Sequence, residues 1–304
     1  MIATTFFSTI LLPFVLAMIM LGMGLSLTTK DFINIFARPK ALAWGLTCQL
    51  ILLPLIALVI ARISGLSPEL QVGIVLIAAC PGGAVSNLIT HLLGGALALS
   101  VSMTTVNSFI TMFTIPVIIK TALWLLMDST QGQEIVLPFW TTLAQVMSTT
   151  VLPCVLGIYI RQRNETVALR LERPLKVAMP SILALVMIAA IFLEEGEGIS
   201  LTTRDYWEVS GFAFLLNIAG MLLGYWSAAW LGFVPKVQMT IAIEVGLQNT
   251  GMAIFIATSR LMLNNQTMAI PASIYALFTF FTAIGFGWLV SRNHIQQERK
   301  LEAK

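Results

Sequence analysis

Residues 241–251 read IAIEVGLQNTG, so one carboxylate, that of Glu244, stands in the middle of an apolar run. A carboxylate at the centre of a membrane span costs at least a few kcal/mol unless it is protonated, paired or bound to a cation. Gln248 follows one helical turn later on the same face, and Gly246 and Gly251 flank a short polar segment. This segment predicts an interrupted helix, since irregular backbone at membrane depth is tolerated where it lines a cavity or is buried in protein.

The composition of the whole chain is that of an integral membrane protein. Of its 304 residues, 58% are hydrophobic and only 10% charged, and its mean hydropathy is +0.90. Soluble domains carry about 25% charged residues, so the composition excludes a soluble enzyme, a nucleic-acid-binding protein and a disordered chain. The sequence contains no HExxH, GxSxG, GxGxxG or phosphate-loop motif, and we predict that it is not an enzyme.

The chain contains nine apolar runs that are long enough to cross a bilayer. They cover approximately residues 5–28, 40–63, 69–92, 97–126, 137–160, 175–193, 207–231, 236–262 and 267–291. Most of the 17 Lys and Arg residues fall on one side of the membrane if the N-terminus is outside. We therefore predict an all-α polytopic protein with nine transmembrane helices, its N-terminus outside and its C-terminus inside. The first run lacks a preceding basic segment and is interpreted as a span rather than a signal peptide.

A second interruption is predicted in the third run, where residues 80–87 read CPGGAVSN. A proline followed by two glycines breaks a helix, and Ser86 and Asn87 can cap a second half-helix. Two spans interrupted at mid-depth indicate a transporter binding site. The interrupted spans are the third and the eighth, so spans 1–4 and 6–9 are predicted to be inverted repeats.

Neutral oxygen-bearing side chains accompany the buried carboxylate. Gln49 lies in the second run, and the fourth run carries a polar face made of Ser100, Thr104, Asn107, Ser108 and Thr111. Several neutral oxygens around one carboxylate suit a hard monovalent cation. Two alternatives remain open from the residues alone: a protonated Glu244 could hydrogen-bond between helices, and the hydroxyl face could only hold helices together. The three cysteines lie in predicted spans, and no His and Cys cluster indicates a transition metal.

Three motifs resemble those of the bile acid:sodium symporter family. They are CPGG at 80–83 followed by Ser86 and Asn87, ALSV at 98–101 followed by Thr104 and Thr105, and EVG at 244–246 followed by Gln248, Asn249 and Gly251. The resemblance covers approximately residues 12–290. Relatives of prokaryotic origin often have ten spans, and from the resemblance this chain is expected to lack the first of them.

The resemblance implies one transmembrane transporter unit, residues 1–304, with a core domain in which two broken helices cross and a panel domain that moves against it. The core is expected to comprise about 69–126 and 207–291, and the panel about 5–28, 40–63, 137–160 and 175–193. The helix at 40–63 is expected to contribute to the core or to flank it.

The resemblance also implies two sodium ions that share Glu244. One site is expected to use Ser86, Asn87, Ser100, Thr104 and Glu244. The other is expected to use Gln49, Glu244, Gln248 and the carbonyls of Val245 and Leu247. The organic anion is expected near Ala84, Asn87 and Asn249, at the N-terminal ends of the half-helices.

These observations together predict a sodium-coupled symporter in a bacterial inner membrane that imports a bile-acid-like anion or a smaller carboxylate. We expect no nucleic-acid partner and no obligate protein partner. One alternative is proton coupling with Glu244 as the carrier, since burial favours a protonated carboxyl. Another is a non-transporting membrane receptor or scaffold, which would be expected to carry a sizeable soluble domain. A vitamin precursor or a sulfonate is also open as the substrate.

Overall fold

The computed structural model describes residues 11–26, 39–127, 147–172, 203–259 and 262–302, and a few single positions between them. Regular structure in these ranges is entirely helical. The helices are α1 (Leu12–Ser26), α2 (Pro39–Ile63), α3 (Pro68–Ala79), α4 (Ala84–Leu92), α5 (Leu97–Leu126), α6 (Leu152–Arg163), α7 (Thr203–Trp230), α8 (Pro235–Gly246), α9 (Thr250–Thr258) and α10 (Ile270–Glu302).

Five helical segments in the described ranges are long and apolar enough to cross a membrane. They are Pro39–Ile63, Leu97–Leu126, Arg204–Trp230, Pro235–Thr258 and Thr267–Val290. The expectation of an all-α polytopic membrane protein is confirmed at this level. The predicted runs at 5–28 and 137–160 are only partly described, and the run at 175–193 lies almost wholly outside the described residues. The count of nine spans therefore stays a prediction.

Exposed tryptophans lie near both ends of α7. Trp207 and Trp230 are 76% and 91% exposed, and they are separated by a helical rise of roughly 35 Å. Tryptophan is enriched where a membrane meets water, on either side of a hydrocarbon core about 30 Å thick. The length of α7 and its terminal tryptophans therefore fit a complete crossing.

The interrupted segment formed by α8 and α9 lies in the interior of the helical bundle. In the most apolar 18 residues of this segment 89% of the residues are buried, whereas the corresponding fraction is 33–39% in the other four membrane-length segments. It packs against α7 along most of α8, and α2, α4, α5 and α10 complete the surroundings of α8. A carboxylate on this segment is therefore shielded from lipid and surrounded by other helices.

Glycines allow two helix pairs to approach closely. An added Cβ on Gly220 would lie 2.8 Å from the carbonyl oxygen of Val245, and one on Gly224 would lie 2.8 Å from the Cα of Ala242. The GxxxG spacing on α7 thus allows α8 to pack closely against it. In the pair formed by α1 and α6, an added Cβ on Gly24 or on Gly157 would likewise clash with backbone atoms of the other helix.

Two helix details differ from the simple apolar runs. The last helix continues to Glu302, beyond the end of the apolar run at 291, because residues 292–302 are mostly polar but include many residues that favour helix. In α2 a π-helical turn spans Cys48–Leu52 and ends two residues before Pro54. Since proline has no N–H for the usual helical bond, the hydrogen bonding shifts, and the Leu53 amide donates to Cys48.

Candidate functional site

The two interruptions meet inside the bundle. One lies between α3 and α4 at residues 80–83, and the other between α8 and α9 at residues 247–249. The amide of Asn249 donates to the carbonyl of Cys80 over 3.2 Å, which joins them directly. At Gly82 an added Cβ would lie 2.7 Å from the Leu247 carbonyl oxygen, so the crossing requires a residue without a side chain.

Four helix ends therefore converge at the crossing. The C-terminal ends of α3 and α8 bring carbonyls without intrahelical partners and partial negative charge, and the N-terminal ends of α4 and α9 bring amides and partial positive charge. The same small region can thus favour a cation on one side and an anion on the other.

Glu244 occupies the last turn of α8 and is 1% exposed. Its carboxylate accepts hydrogen bonds from Ser100 and from Thr104, the latter over 3.1 Å. Ser86, which is also fully buried and donates to the Gly83 carbonyl, contributes a further hydroxyl beside the carboxylate. No ion pair among the described residues includes Glu244.

Asn87 brings another oxygen to the same cluster. Its Oδ1 lies 2.7 Å from Ser100 Oγ and 3.2 Å from Thr104 Oγ1. The residues predicted for the first cation site thus come from α4, α5 and α8 and are brought together by the crossing.

This cluster contains more acceptors than protons. The hydroxyls of Ser100 and Thr104 each have one proton, yet each lies within hydrogen-bonding distance of both the carboxylate and Asn87 Oδ1. With Glu244 ionised, one acceptor contact of each hydroxyl is therefore left without a proton. A small cation among these oxygens would satisfy them all, so the donor set fits a monovalent cation.

The residues predicted for the second site lie on the adjacent side of the crossing. Gln49, in the π-helical turn of α2, donates to Gln248 Oε1 over 2.7 Å, and Gln248 donates to the Val245 carbonyl over 2.6 Å. The Oε1 of Gln49 is buried and accepts no hydrogen bond from the described residues. The Leu247 carbonyl faces Gly82 instead, on the side of the first cluster.

Two of the three positions predicted for the anion are less buried than the carboxylate cluster. Ala84 is the first residue of α4, and Asn87 and Asn249 are half-buried. Asn249 Oδ1 caps α9 by accepting from the Met252 amide, and its Nδ2 lies on the side of Gly83.

The remaining polar residues of α5 do not reach Glu244. Ser108 and Thr111 donate to backbone carbonyls one turn earlier on their own helix. Asn107 is buried, and its Oδ1 has no partner among the described residues. Of the four hydroxyls on this face, those of Ser100 and Thr104 thus contact Glu244. The other two donate to the backbone of their own helix.

Sequence reasoning missed two polar residues that contact the end of α8. Asn217 on α7 donates to the Gly246 carbonyl over 2.8 Å, and Tyr275 on α10 donates to the same oxygen. Both residues are fully buried. In the sequence, Asn217 is recognisable only as a single asparagine inside a long apolar run.

A buried carboxylate at the crossing of two interrupted helices is typical of ion-coupled secondary transporters. The model of the Sodium Bile acid symporter family matches residues 13–201. This chain belongs to the sodium bile acid symporter family, which confirms the assignment made from the motifs. The family consists of transporters, so the expectation that the chain is not an enzyme is also confirmed.

Relatives with sodium-linked names match along most of the chain. A probable chloroplastic sodium/metabolite cotransporter of Arabidopsis thaliana is 29% identical over 85% of this chain. An uncharacterized sodium-dependent transporter of Bacillus subtilis is 28% identical over 86%, and the human ileal sodium/bile acid cotransporter is 26% identical over 96%. The matches span 61%, 77% and 82% of those three proteins.

Proposed function

We propose that this protein is a sodium-coupled symporter that imports an organic anion by alternating access. The observation that carries the proposal is the position of Glu244, a buried carboxylate surrounded by neutral oxygens where two interrupted helices cross. Membership of a sodium symporter family supports the same conclusion.

In this proposal two sodium ions bind at the crossing and share Glu244. The first would be held by Ser86, Asn87, Ser100 and Thr104, and the excess of acceptors over protons in that cluster supports it. The second would be held by Gln49, Gln248 and the Val245 carbonyl, whereas the Leu247 carbonyl, which faces Gly82, would lie on the side of the first ion. The unpartnered Oε1 of Gln49 supports a ligand there.

The first site predicts a difference between two adjacent threonines. Thr104→Val removes a hydroxyl that contacts Glu244, whereas Thr105→Val removes one that donates only to the Val101 carbonyl. A hydrogen bond to a charged group contributes about 1.5–3 kcal/mol, so Thr104→Val is expected to raise the half-saturating sodium concentration at least about tenfold. A sodium titration of the melting temperature measures this, and equal responses of the two variants would contradict the assignment.

The second site predicts a change in cooperativity. Gln49→Leu is expected to lower the Hill coefficient for sodium from near two towards one, because the first site keeps all of its side-chain ligands. Gln71→Leu is the matched control, since Gln71 is buried on α3 and donates to the Leu66 carbonyl. A Hill coefficient unchanged by Gln49→Leu would remove Gln49 from the sodium ligands.

The anion would bind beside Ala84, Asn87 and Asn249. The N-terminal ends of α4 and α9 meet there, and both offer amide donors and partial positive charge. The proposed substrate class is a bile-acid-like anion or a smaller carboxylate.

The proposed transport cycle moves a panel against a core. The close pairing of α1 with α6 supports their assignment to the panel. The 40–63 helix packs against α3, α5 and α7, which supports assigning it to the core. We retain nine spans, an outside N-terminus, inverted repeats and a bacterial inner membrane as parts of this proposal.

Reconstitution into proteoliposomes tests the coupling ion. Uptake of radiolabelled cholate, and of propionate as a small carboxylate, is measured with an inward sodium gradient at equal pH, and then with an inward proton gradient in sodium-free buffer. We expect uptake of one of the two probes with the sodium gradient and no uptake with the proton gradient. Uptake driven by protons without sodium would make Glu244 a proton carrier, and uptake of neither probe under either gradient would contradict the proposed substrate class.

A further inference from the structure

One face of α7 holds the broken end of α8 by contacts outside the cation ligands. Asn217, Gly220 and Gly224 are spaced by three and four residues, so they share this face. Gly220 lies against the Val245 carbonyl, and Gly224 lies against Ala242 one turn earlier on α8. Asn217 reaches the last carbonyl of α8, that of Gly246, over 2.8 Å.

The Gly246 carbonyl receives a second donor from the other side. Tyr275 on α10 donates its hydroxyl proton to the same oxygen. Asn217 Nδ2 also lies 3.0 Å from Tyr275 Oη and 3.2 Å from Thr279 Oγ1, which ties the three side chains together. A carbonyl in the last turn of a helix has no intrahelical partner, and two side chains supply what this one lacks.

The direction of the Gly246 carbonyl affects the residue that follows it. Leu247 is in an extended conformation, with φ −100° and ψ 109°. Successive carbonyls in extended backbone point to opposite sides. With Gly246 held towards α7 and α10, the Leu247 carbonyl turns towards Gly82, where an added Cβ would lie 2.7 Å from that oxygen and 3.3 Å from Glu244 Oε2.

The burial of these polar side chains carries a free-energy cost. Asn217 and Tyr275 are fully buried, and Asn217 Oδ1 accepts no hydrogen bond from the described residues. A buried polar group without a partner is costly, and an apolar residue of similar size would avoid that cost. The pair therefore has a role beyond filling space.

We propose that Asn217 and Tyr275 are positioning residues for the cation site. They hold the Gly246 carbonyl away from the crossing and thereby direct the Leu247 carbonyl towards Glu244. This inference rests on the proposed sodium-coupled function and extends it to two residues that do not touch the ion.

Sodium titrations of the melting temperature of purified full-length protein test the inference. The variants are Tyr275→Phe, Asn217→Leu and the double variant, with Tyr206→Phe as the control on an exposed tyrosine of α7. Each single variant is expected to raise the half-saturating sodium concentration about tenfold. The double variant is expected to do little more, because both side chains act on one carbonyl.

A purely structural role gives a different result. The melting temperature would then fall equally in sodium and in potassium while the half-saturating sodium concentration stayed at the wild-type value, and this would overturn the inference. Tyr275→Phe, which removes one oxygen, keeps the test informative if Asn217→Leu does not fold. A wild-type protein that did not respond to sodium would instead overturn the proposed function, and the inference with it.

Discussion

Glu244→Ala is expected to abolish sodium-driven uptake, with a loss of at least about a hundredfold in initial rate. The carboxylate is the one charge in the cluster and is proposed to contribute to both ion sites, so its removal eliminates the main electrostatic attraction for two cations. Initial rates of cholate or propionate uptake into sodium-gradient proteoliposomes measure the effect.

Two further variants separate charge from position. Glu165→Ala removes a carboxylate whose side chain is 70% exposed, and it should leave uptake unchanged because surface ion pairs contribute little. Glu244→Gln keeps the shape and one oxygen but removes the charge, and it should resemble Glu244→Ala. Sodium-driven uptake retained in both Glu244 variants would refute the assigned role of the carboxylate.

Gly82→Ala is expected to be the second most damaging single change. Its methyl group would lie 2.7 Å from the Leu247 carbonyl oxygen and 3.0 Å from Ser86 Oγ, so the two interruptions would have to separate. Overpacking of a well-packed interior typically costs about 1–3 kcal/mol, and here the displaced atoms include proposed sodium ligands. We expect a lower melting temperature and a loss of sodium-driven uptake of more than about tenfold.

Gly83→Ala is the matched control for that variant. An added Cβ at Gly83 meets only Asn249 Nδ2 at 3.7 Å, which is an ordinary van der Waals contact. The neighbouring substitution should therefore retain most of the uptake. If both variants behaved alike, the close approach at Gly82 would not be what constrains the crossing.

The sequence predicted the interruptions because local chemistry determines them. A Pro-Gly-Gly segment cannot continue a helix, and the chain leaves the helix there after Ala79. The second interruption was visible as Gln248 and Asn249 beside glycines, and the next helix begins at Thr250. The fourth apolar run, 97–126, coincides with α5, which has no internal glycine and continues through Pro116.

Other features depend on tertiary contacts and were not predictable. Asn217 and Tyr275 are separated by 58 positions in sequence and meet only because α7 and α10 both pack beside α8. The π-helical turn that carries Gln49 was also not predicted, although Pro54, two residues after the turn, interrupts the usual helical hydrogen bonding. The continuation of α10 to Glu302 was missed because apolarity detects membrane spans, whereas helix propensity determines where a helix ends.

The candidate site was predicted from the free-energy cost of a buried charge and from the family resemblance. The structure brings Ser100, Thr104 and Asn87 to one point, although they lie on two different helices. Sequence spacing alone could not separate these members from Ser108 and Thr111, which satisfy their own backbone. That distinction depends on where α8 crosses α5.

The most direct test of the central claim is the melting temperature of detergent-purified protein in sodium and in potassium at equal ionic strength, for the wild type and Glu244→Ala. A cation present at about a hundred times its Kd adds roughly 2.7 kcal/mol per site to the free energy of unfolding. The account predicts a higher melting temperature in sodium for the wild type and the same value in both salts for the variant. A wild type indifferent to the salt, or a variant that still responds to sodium, would contradict it.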